Sequence, residues 1–372
     1  MDQFIDGITT RQAHEKCACR AFGALEHAGK TIVCAALDGD TEARAARFLL
    51  GRDPAAVPEG LARTARAVGA QRAILAVPVD LGALLTPVER SCGDIEAAYN
   101  IKIELREAPN TLVLAEPSAL LRFLEGRQAI PYLPAKDGGF YSLDGAPALV
   151  ITAETAAKAA ARPGMDNADT GPGDTVIVTL TGDVRRAATM EVPAGTTLGA
   201  LIRDAGGGVM DAGGGVMDGS AIRAVQLGGP ASIYIGAGEL DEIMVGSLVG
   251  EDRAFGLALI HVIAGGRCMV EAAREATEYL NSQSCGKCVF CREGTRHLAS
   301  LLGDIASGEG RREDLELMEE LGRQMRTGCV CALGRTAAGP ALSSLRLFPE
   351  EYEQHIRRKS CPAGAGGGGA HG

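Results

Sequence analysis

The stretch Ser284-Cys-Gly-Lys-Cys-Val-Phe-Cys-Arg-Glu-Gly-Thr295 carries three cysteines, Cys285, Cys288 and Cys291, in two consecutive two-residue spacings. That is one thiol more than a redox dithiol needs, and thiolates so placed are ligands. A [4Fe–4S] cubane takes four thiolates, three of which can come from one tight loop while the fourth arrives from elsewhere in the fold. Downstream, Gly-Cys-Val-Cys-Ala-Leu-Gly offers Cys329 and Cys331, and the pattern alone does not choose between them. Zinc also takes four cysteines, usually from two separated Cys-x-x-Cys knuckles, so three ligands in one loop favour iron and sulfide. Gly286 and Gly294 would let backbone N–H groups approach the sulfurs. Lys287 and Arg292 would place positive charge beside an anionic cluster, the alternative being an ordinary solvated face.

Other residues with chemistry carry less. His14-x-x-Cys17-x-Cys19 could ligate a metal, but its spacing is not a standard one and no fourth ligand is evident; the alternative is an exposed helix terminus. Cys92 and Cys268 are expected to fill small apolar sites. The tandem GGGVMD at 206–211 and 213–218 is far shorter than a solenoid repeat and lacks the Lys-Ser or Lys-Thr of a phosphate cradle, so it reads as a flexible surface loop.

Composition sets the setting for this chemistry. The 372 residues include eleven cysteines, and no apolar stretch reaches the length of a signal peptide or a membrane span. The reading is a soluble, cytoplasmic protein whose thiols serve a metal rather than disulfides. A net charge of −10 argues against nucleic acid or an anionic membrane as the main partner.

The elements that must position the cysteines follow from periodicity. TIVCAAL (31–37) and RAILAVPV (72–79) are buried strands, Leu61, Ala65 and Val68 lie at helical spacing, Ile101, Ile103 and Leu105 alternate, and TLVLAEP (111–117) is a further apolar run. Ser118 is placed to cap a helix that Gly126 closes. This is an α/β domain, expected over 1–157, with a linker at 158–173. DTVIVTLTGDVRRAATMEVP then predicts a hairpin about Gly182-Asp183, Thr197 a helix cap and AIRAVQL (221–227) another strand, together a β-grasp module over 174–246. Val270, Ala273, Thr277 and Leu280, then Leu298, Leu301, Leu302 and Ile305, then Leu315, Met318, Leu321 and Met325 mark helices of a bundle over 247–358. Pro349 starts one more helix, to about Ile356, before a disordered glycine-rich tail at 359–372.

SCGKCVFCREGT followed by CALGRTAAGPALSSLRLFPEEYEQHI resembles the C-terminal cluster domain of the NADH-oxidising flavoprotein subunit of respiratory complex I and its relatives in NAD-linked hydrogenases and formate dehydrogenases. The likeness reaches back through a ligand-binding-type (SLBB-type) β-grasp domain with its AVQLGGP strand to about residue 31. The resemblance implies that the cysteine of the C-A-L-G motif, Cys331, is the fourth cluster ligand and that Cys329 is a spare. HIRRKSCPAG resembles members in which a ferredoxin-like extension follows; with glycines in its place, Cys361 is left without partners.

In that family the first domain holds FMN and receives hydride from NADH, and there this sequence departs. The glycine-rich loop G-R-G-G-x-G-F-P-T-G should precede residue 31, where only Gly7, Gly23 and Gly29 stand. The family's C-N-A-D-E-x-E-P-G-T aligns with Cys34 to Ala43, anchored by Leu-Leu-Gly-Arg-Asp-Pro at 49–54, so that asparagine becomes Ala35 and aspartate Leu37, followed by Asp38. G-E-E-T-A-L-L becomes Ala115 to Leu121 with Glu116 and Pro117, and V-N-N-V-E-T becomes Val150 to Thr155 with Ile151 and Thr152, retaining Glu154 and Thr155. A flavin phosphate needs close backbone or amide donors, which Leu37, Ile151 and Pro117 do not offer. The resemblance, with these losses, implies an electron-transfer subunit of a multi-subunit oxidoreductase that lacks its own FMN and NADH site and works beside a thioredoxin-like [2Fe–2S] subunit. The competing readings are an FMN-containing NAD(P)H dehydrogenase subunit and a structural scaffold in which the cluster only staples the bundle.

Overall fold

The structure is a computed structural model that describes residues 13–27, 29–40, 42, 44–133, 140–161, 175–210, 216–217, 222–245 and 259–361, without the side chains of 13–17, 216 and 217. The chain divides into two compact units, Met1–Ile177 with Thr189–Ala194, and Val178–Ala188 with Gly195–Gly372. The expected tail, apart from 359–361, and most of the expected linker lie outside the described residues.

The first unit runs α1 (Ala13–Ala24), β1 (Thr31–Ala35), α2 (Ala45–Arg52), α3 (Ala56–Val68), β2 (Arg72–Pro78), α4 (Leu85–Tyr99), β3 (Ile103–Ala108), α5 (Pro117–Leu124), β4 (Tyr141–Leu143), β5 (Ala146–Thr152) and α6 (Ala153–Ala161). Its sheet has the order β3-β2-β1-β5-β4, parallel except for β4. The apolar runs are strands because both faces are covered. Ile32, Cys34, Leu75 and Val77 pack with Leu50, Leu61, Ala65 and Val88 on one face, while Val33, Ile74 and Ala76 meet Leu120 and Leu121 of α5 on the other. α3 crosses α6 where Gly60 leaves no room for a Cβ against the Ala156 carbonyl.

Local expectations meet two corrections here. The apolar run at 111–117 is not extended: Leu112–Ala115 forms a 3-10 turn. α5 starts two residues earlier than a Ser118 cap would place it, with Glu116 at the N-cap and Pro117 in the first turn, because proline's fixed φ suits that position. The Ser118 hydroxyl instead accepts from the Tyr132 N–H at 3.1 Å.

A second sheet has the order β11-β10-β12-β6-β7, from β6 (Thr175–Gly182), β7 (Ala188–Pro193), β10 (Ile222–Leu227), β11 (Tyr234–Gly236) and β12 (Leu259–Ala264); the start of β6 and most of β7 are assigned to the first unit and the rest to the second. β12 is parallel to β6 and antiparallel to β10, the mixed pattern of a β-grasp sheet. The segment 259–264 lies in the stretch expected to be helical; its apolar run, interrupted only by His261, is instead a central strand. Thr197 caps the short helix α7 (Leu198–Ala200), accepting from the Ala200 N–H at 3.2 Å, and a π-turn Leu201–Ala205 follows. The GGGVMD duplication is not merely loop: its two Val-Met pairs form the antiparallel ribbon β8 (Val209–Met210) and β9 (Val216–Met217).

Among the described residues six helices complete the second unit: α8 (Met269–Ser282), α9 (Val289–Ala306), α10 (Arg312–Gly328), α11 (Ala332–Thr336), α12 (Gly339–Leu347) and α13 (Pro349–Arg358). Val270, Ala273, Leu280, Leu298, Leu302, Ile305, Met318 and Met325 form the buried faces. Edge strand β11 is tied to the helices by two bonds: the Tyr234 N–H donates to Ser343 Oγ at 2.9 Å and the Tyr234 hydroxyl donates to the Ala272 carbonyl at 3.1 Å.

Candidate metal centre

Cys288 ends the cysteine loop and begins α9. It is the N-cap of this 18-residue helix, extended at φ −79° and ψ 122°, and its carbonyl accepts from the N–H groups of Cys291 at 3.1 Å and Arg292 at 3.0 Å. Cys291 therefore sits in the first turn, where unpaired amides and the helix dipole favour negative charge on a thiolate or on a group it binds. Gly286 turns the loop at φ +77°, which L side chains rarely adopt. Ser284 Oγ accepts from the Gly286 N–H at 3.2 Å and lies 3.4 Å from Cys291 Sγ. Arg292 donates to the Gly286 carbonyl at 2.6 Å and pairs with Glu293, so it fastens the loop as well as bringing charge.

Helix packing delivers the second arm. α10 approaches α9 so closely that a Cβ on Gly294 would meet Met325 Sδ at 2.6 Å. Gly294, expected to open the sulfurs to amides, is thus a spacer between helices. α10 ends at Gly328, Cys329 follows as its C-cap, and Cys331 is the N-cap of α11. A Cβ on Gly334 would meet Cys329 Cβ at 2.7 Å, Cys329 Sγ at 2.8 Å and Cys291 Cβ at 3.2 Å, so only glycine lets α11 close over these sulfurs.

The electrostatics divide the sulfurs. A hydrogen bond from the Cys329 thiol holds Cys291 down at about 6, against the opposing effect of burial. The same bond, with burial and the neighbouring Cys291, Cys288 and Cys331, pushes Cys329 up. Cys285, Cys288 and Cys331 are half-buried and unbridged, while Cys291 and Cys329 are buried. Sulfur donors from two distant segments, one already favouring the thiolate and seated at a helix N-terminus, fit a thiolate-held iron–sulfur cluster.

The flavin-type positions gather at the carboxyl edge of the first sheet, where α/β folds place ligands. Ala35 and Thr152 are register partners in β1 and β5, half-buried Leu37 and buried Asp38 follow β1, and Glu116 caps α5. Most polar groups at this edge have protein partners, but the buried Asp38 Oδ2 accepts no hydrogen bond. Asp38 Oδ1 accepts from the Ala46 N–H at 2.6 Å, its Oδ2 lies 3.7 Å from Arg47 Nε, and burial pushes its carboxyl up to about 6. Thr152 Oγ1 accepts from the Thr155 N–H at 3.3 Å. Of the N-terminal motif, Cys19 lies in the apolar core beside Phe22, and the side chains of His14 and Cys17 are outside the described residues.

One grouping was missed in the sequence. Cys361, expected to stand without partners, meets Cys268 and His355, and Cys268 is therefore more than apolar filling. The His-x5-Cys spacing at 355–361 was visible, but its third member lies 87 residues before His355 and carries no local signal. Cys92, by contrast, is buried among apolar side chains, which pushes its thiol up to about 12.

Comparison with known proteins agrees with this geometry. The NADH-ubiquinone oxidoreductase-F iron-sulfur binding region matches residues 271–355, which include all five cysteines of the centre, and the SLBB domain matches 177–219. NADP-reducing hydrogenase subunit HndC of Solidesulfovibrio fructosivorans is 30% identical over 357 residues, covering 90% of this chain and 70% of that protein. An NADH-quinone oxidoreductase F subunit of Rhizobium meliloti is 29% identical over 352 residues, covering 90% and 82%. An NAD+-reducing [NiFe]-hydrogenase crystallised in its H2-reduced state shares the fold with a TM-score of 0.79 at 23% identity, over 97% of this chain and 63% of that one. Among the described residues no helix is long and apolar enough to cross a membrane. The chain belongs to the family of the NADH-quinone oxidoreductase F subunit and its hydrogenase counterpart HndC, with that family's SLBB domain and iron–sulfur binding region.

Proposed function

We propose that this chain is an electron-transfer subunit of a multi-subunit oxidoreductase, relaying electrons through one [4Fe–4S] cluster held by Cys285, Cys288, Cys291 and Cys331, with no FMN or NADH site of its own. The observation that carries this reading is the convergence of the 285–291 loop and the 329–331 segment inside the stretch that matches the iron–sulfur model. When bound, the cluster supplies one-electron transfer at a potential set by its thiolates and their hydrogen bonds. Ser284 and Arg292 hold the loop in shape, Leu298, Met325 and Leu333 keep water from its inner side, and the α9 N-terminus offsets the negative charge of the thiolates. Cys331 is preferred to Cys329 because the former is the cysteine of the C-A-L-G motif.

The absence of a flavin site is supported by what stands at the carboxyl edge of β1 and β5. Ala35 and Leu37 have no side-chain donors, Asp38 Oδ1 accepts from the Ala46 N–H, and Thr152 Oγ1 accepts from the Thr155 N–H. We place the protein in the cytoplasm, docked with other subunits of a soluble or membrane-peripheral complex that includes a thioredoxin-like [2Fe–2S] subunit. A second reading is favoured by the names of the relatives, which are NADP-reducing and NADH-quinone oxidoreductase subunits: an FMN-containing NAD(P)H dehydrogenase subunit.

Anaerobically purified protein separates these readings. About four irons per chain, no extractable flavin, and an EPR signal on reduction that Cys331→Ser abolishes are expected for the relay. Flavin at about one per chain would establish the second reading. A cluster that resists reduction would leave the sulfurs a stapling role only, and iron retained in Cys331→Ser would overturn the ligand set.

A further inference from the structure

We propose that a cleft among α10, α11, α12 and the loop before β11 binds a small molecule that carries a diphosphate. The cleft has a volume of about 570 Å3, which is the size of a small-molecule site. Arg326 of α10, Arg335 of α11 and Arg346 of α12 line it, and none of its lining residues is acidic. A wall with three guanidiniums and no carboxylate runs against the chain's net charge of −10 and draws anions.

Helix packing assembles this wall. A Cβ on Gly322 would meet Leu342 Cδ1 at 2.6 Å, so α10 and α12 touch there, and Arg326 and Arg346 each stand four residues after that contact, on the same face of their helices. Arg335 is carried to the cleft by α11, whose N-cap is Cys331, and it donates to the Val330 carbonyl at 3.2 Å. All three arginines are exposed. Elsewhere in the bundle an arginine is paired with a glutamate about one turn away on its own helix, as in Arg274 with Glu271, Arg323 with Glu320 and Arg357 with Glu353. Among the described residues neither Arg335 nor Arg346 has a carboxylate partner. The rest of the wall adds a second kind of surface. Ser232 is 1% exposed, and its hydroxyl has no hydrogen-bond partner among the described residues, which is uncommon for a buried polar atom. Ile233 and Leu342 supply apolar surface beside the guanidiniums.

The donor set chooses the ligand. A guanidinium presents paired N–H groups that match two oxygens of a phosphate, so three of them are better met by the larger oxygen set of a diphosphate than by a single phosphate. Thr336 Oγ1 donates to the Ala332 carbonyl at 2.9 Å and Ser343 Oγ to the Gly339 carbonyl at 2.6 Å, which leaves the arginines and Ser232 as the donors toward an anion. The apolar side chains suit the remainder of the molecule. Binding is noncovalent and its consequence is mechanical. The ligand would tie three helices together, among them the one that Cys331 opens.

The test uses the full chain, purified anaerobically in phosphate-free buffer and titrated by calorimetry with ADP, inorganic pyrophosphate, inorganic phosphate and adenosine. ADP and pyrophosphate should bind and raise Tm, whereas phosphate should bind about tenfold more weakly or worse and adenosine not at all. ADP binding tighter than pyrophosphate assigns a nucleotide, and equal binding assigns the diphosphate alone. Arg335→Gln and Arg346→Gln, both at exposed positions, should each weaken ADP about tenfold or more while iron content and circular dichroism stay as in wild type. None of these readouts depends on the cluster, so this site and the electron-relay reading can fail separately. No binding in wild type, phosphate as tight as pyrophosphate, or ADP affinity unchanged in both variants would overturn the proposal. So would an oligoglutamate peptide that binds more tightly than ADP, since the cleft would then be a docking surface for an acidic protein segment.

Discussion

Two cysteine-bearing regions of this chain show what selection of side chains does to a preserved fold. In the second unit, every element around Cys285, Cys288, Cys291, Cys329 and Cys331 serves the sulfurs: a loop turned at Gly286, a helix capped by Cys288, glycines that bring α10 and α11 close. In the first unit, the parallel strands and apolar faces are equally regular, yet Cys19, Cys34 and Cys92 lie in the core, and the carboxyl edge of β1 and β5 carries Ala35, Leu37 and Asp38, whose buried Oδ2 accepts no hydrogen bond. The first unit's regularity rests on apolar patterning, whereas the cysteine centre rests on donors and on glycine spacers as well.

Four outcomes break or sharpen that contrast. The largest belongs to Cys291→Ser, which removes the buried thiolate; iron per chain should fall by more than about tenfold and the bundle should lose thermal stability with it, whereas the first unit, which has no share in the centre, should keep its secondary structure. Next is Gly60→Ala in the first unit. Its Cβ would overlap the Ala156 carbonyl where α3 crosses α6, so unfolding free energy should drop by about 3 kcal/mol or more, yet iron content should not change. A loss of iron there would show that the two regions are not independent.

The third outcome is a pH dependence confined to the first unit. Burial raises Asp38 to about 6 from 3.8, so between those values the folded protein keeps a proton that the unfolded chain has released. Its contribution is fully present below pH 3.8 and is lost as pH rises through about 6, a change of about 2 to 3 kcal/mol. Asp38→Asn, compared with wild type in urea unfolding from pH 4 to 7, should show a stability difference that grows in the variant's favour as pH rises; a constant difference would mean that the carboxylate is not penalised by burial. The smallest effect is Thr197→Ala, which removes the cap of α7 and should cost about 1 kcal/mol without altering iron or the EPR signal.

Legibility followed locality. Thr197 as a cap, the strand beginning at Thr31, and the helix starting at Pro349 were readable because each depends on residues within a turn or two. The misreadings occurred where a local pattern is shared by two structures. LALIHVIA carries no period that separates a buried strand from a helix, and it became β12 because β6 and β10 stood ready to pair with it. TLVLAEP turned into a 3-10 segment because Pro117 starts α5 immediately after it. The GGGVMD repeat pairs with itself, which only two copies folded back on each other can do.

From the sequence alone came the donor types, the close spacing of Cys285, Cys288 and Cys291, and the apolar runs that make the buried strands. Tertiary structure alone decided that Cys329 bonds to Cys291 while Cys331 opens the next helix, and that Cys361 meets residues from the start of α8 and the end of α13. The reason is physical. Spacing along a chain determines distance only across a turn or a loop, whereas distance between remote segments depends on how closely helices pack, and that is settled by contacts as small as the missing Cβ of Gly294 and Gly334.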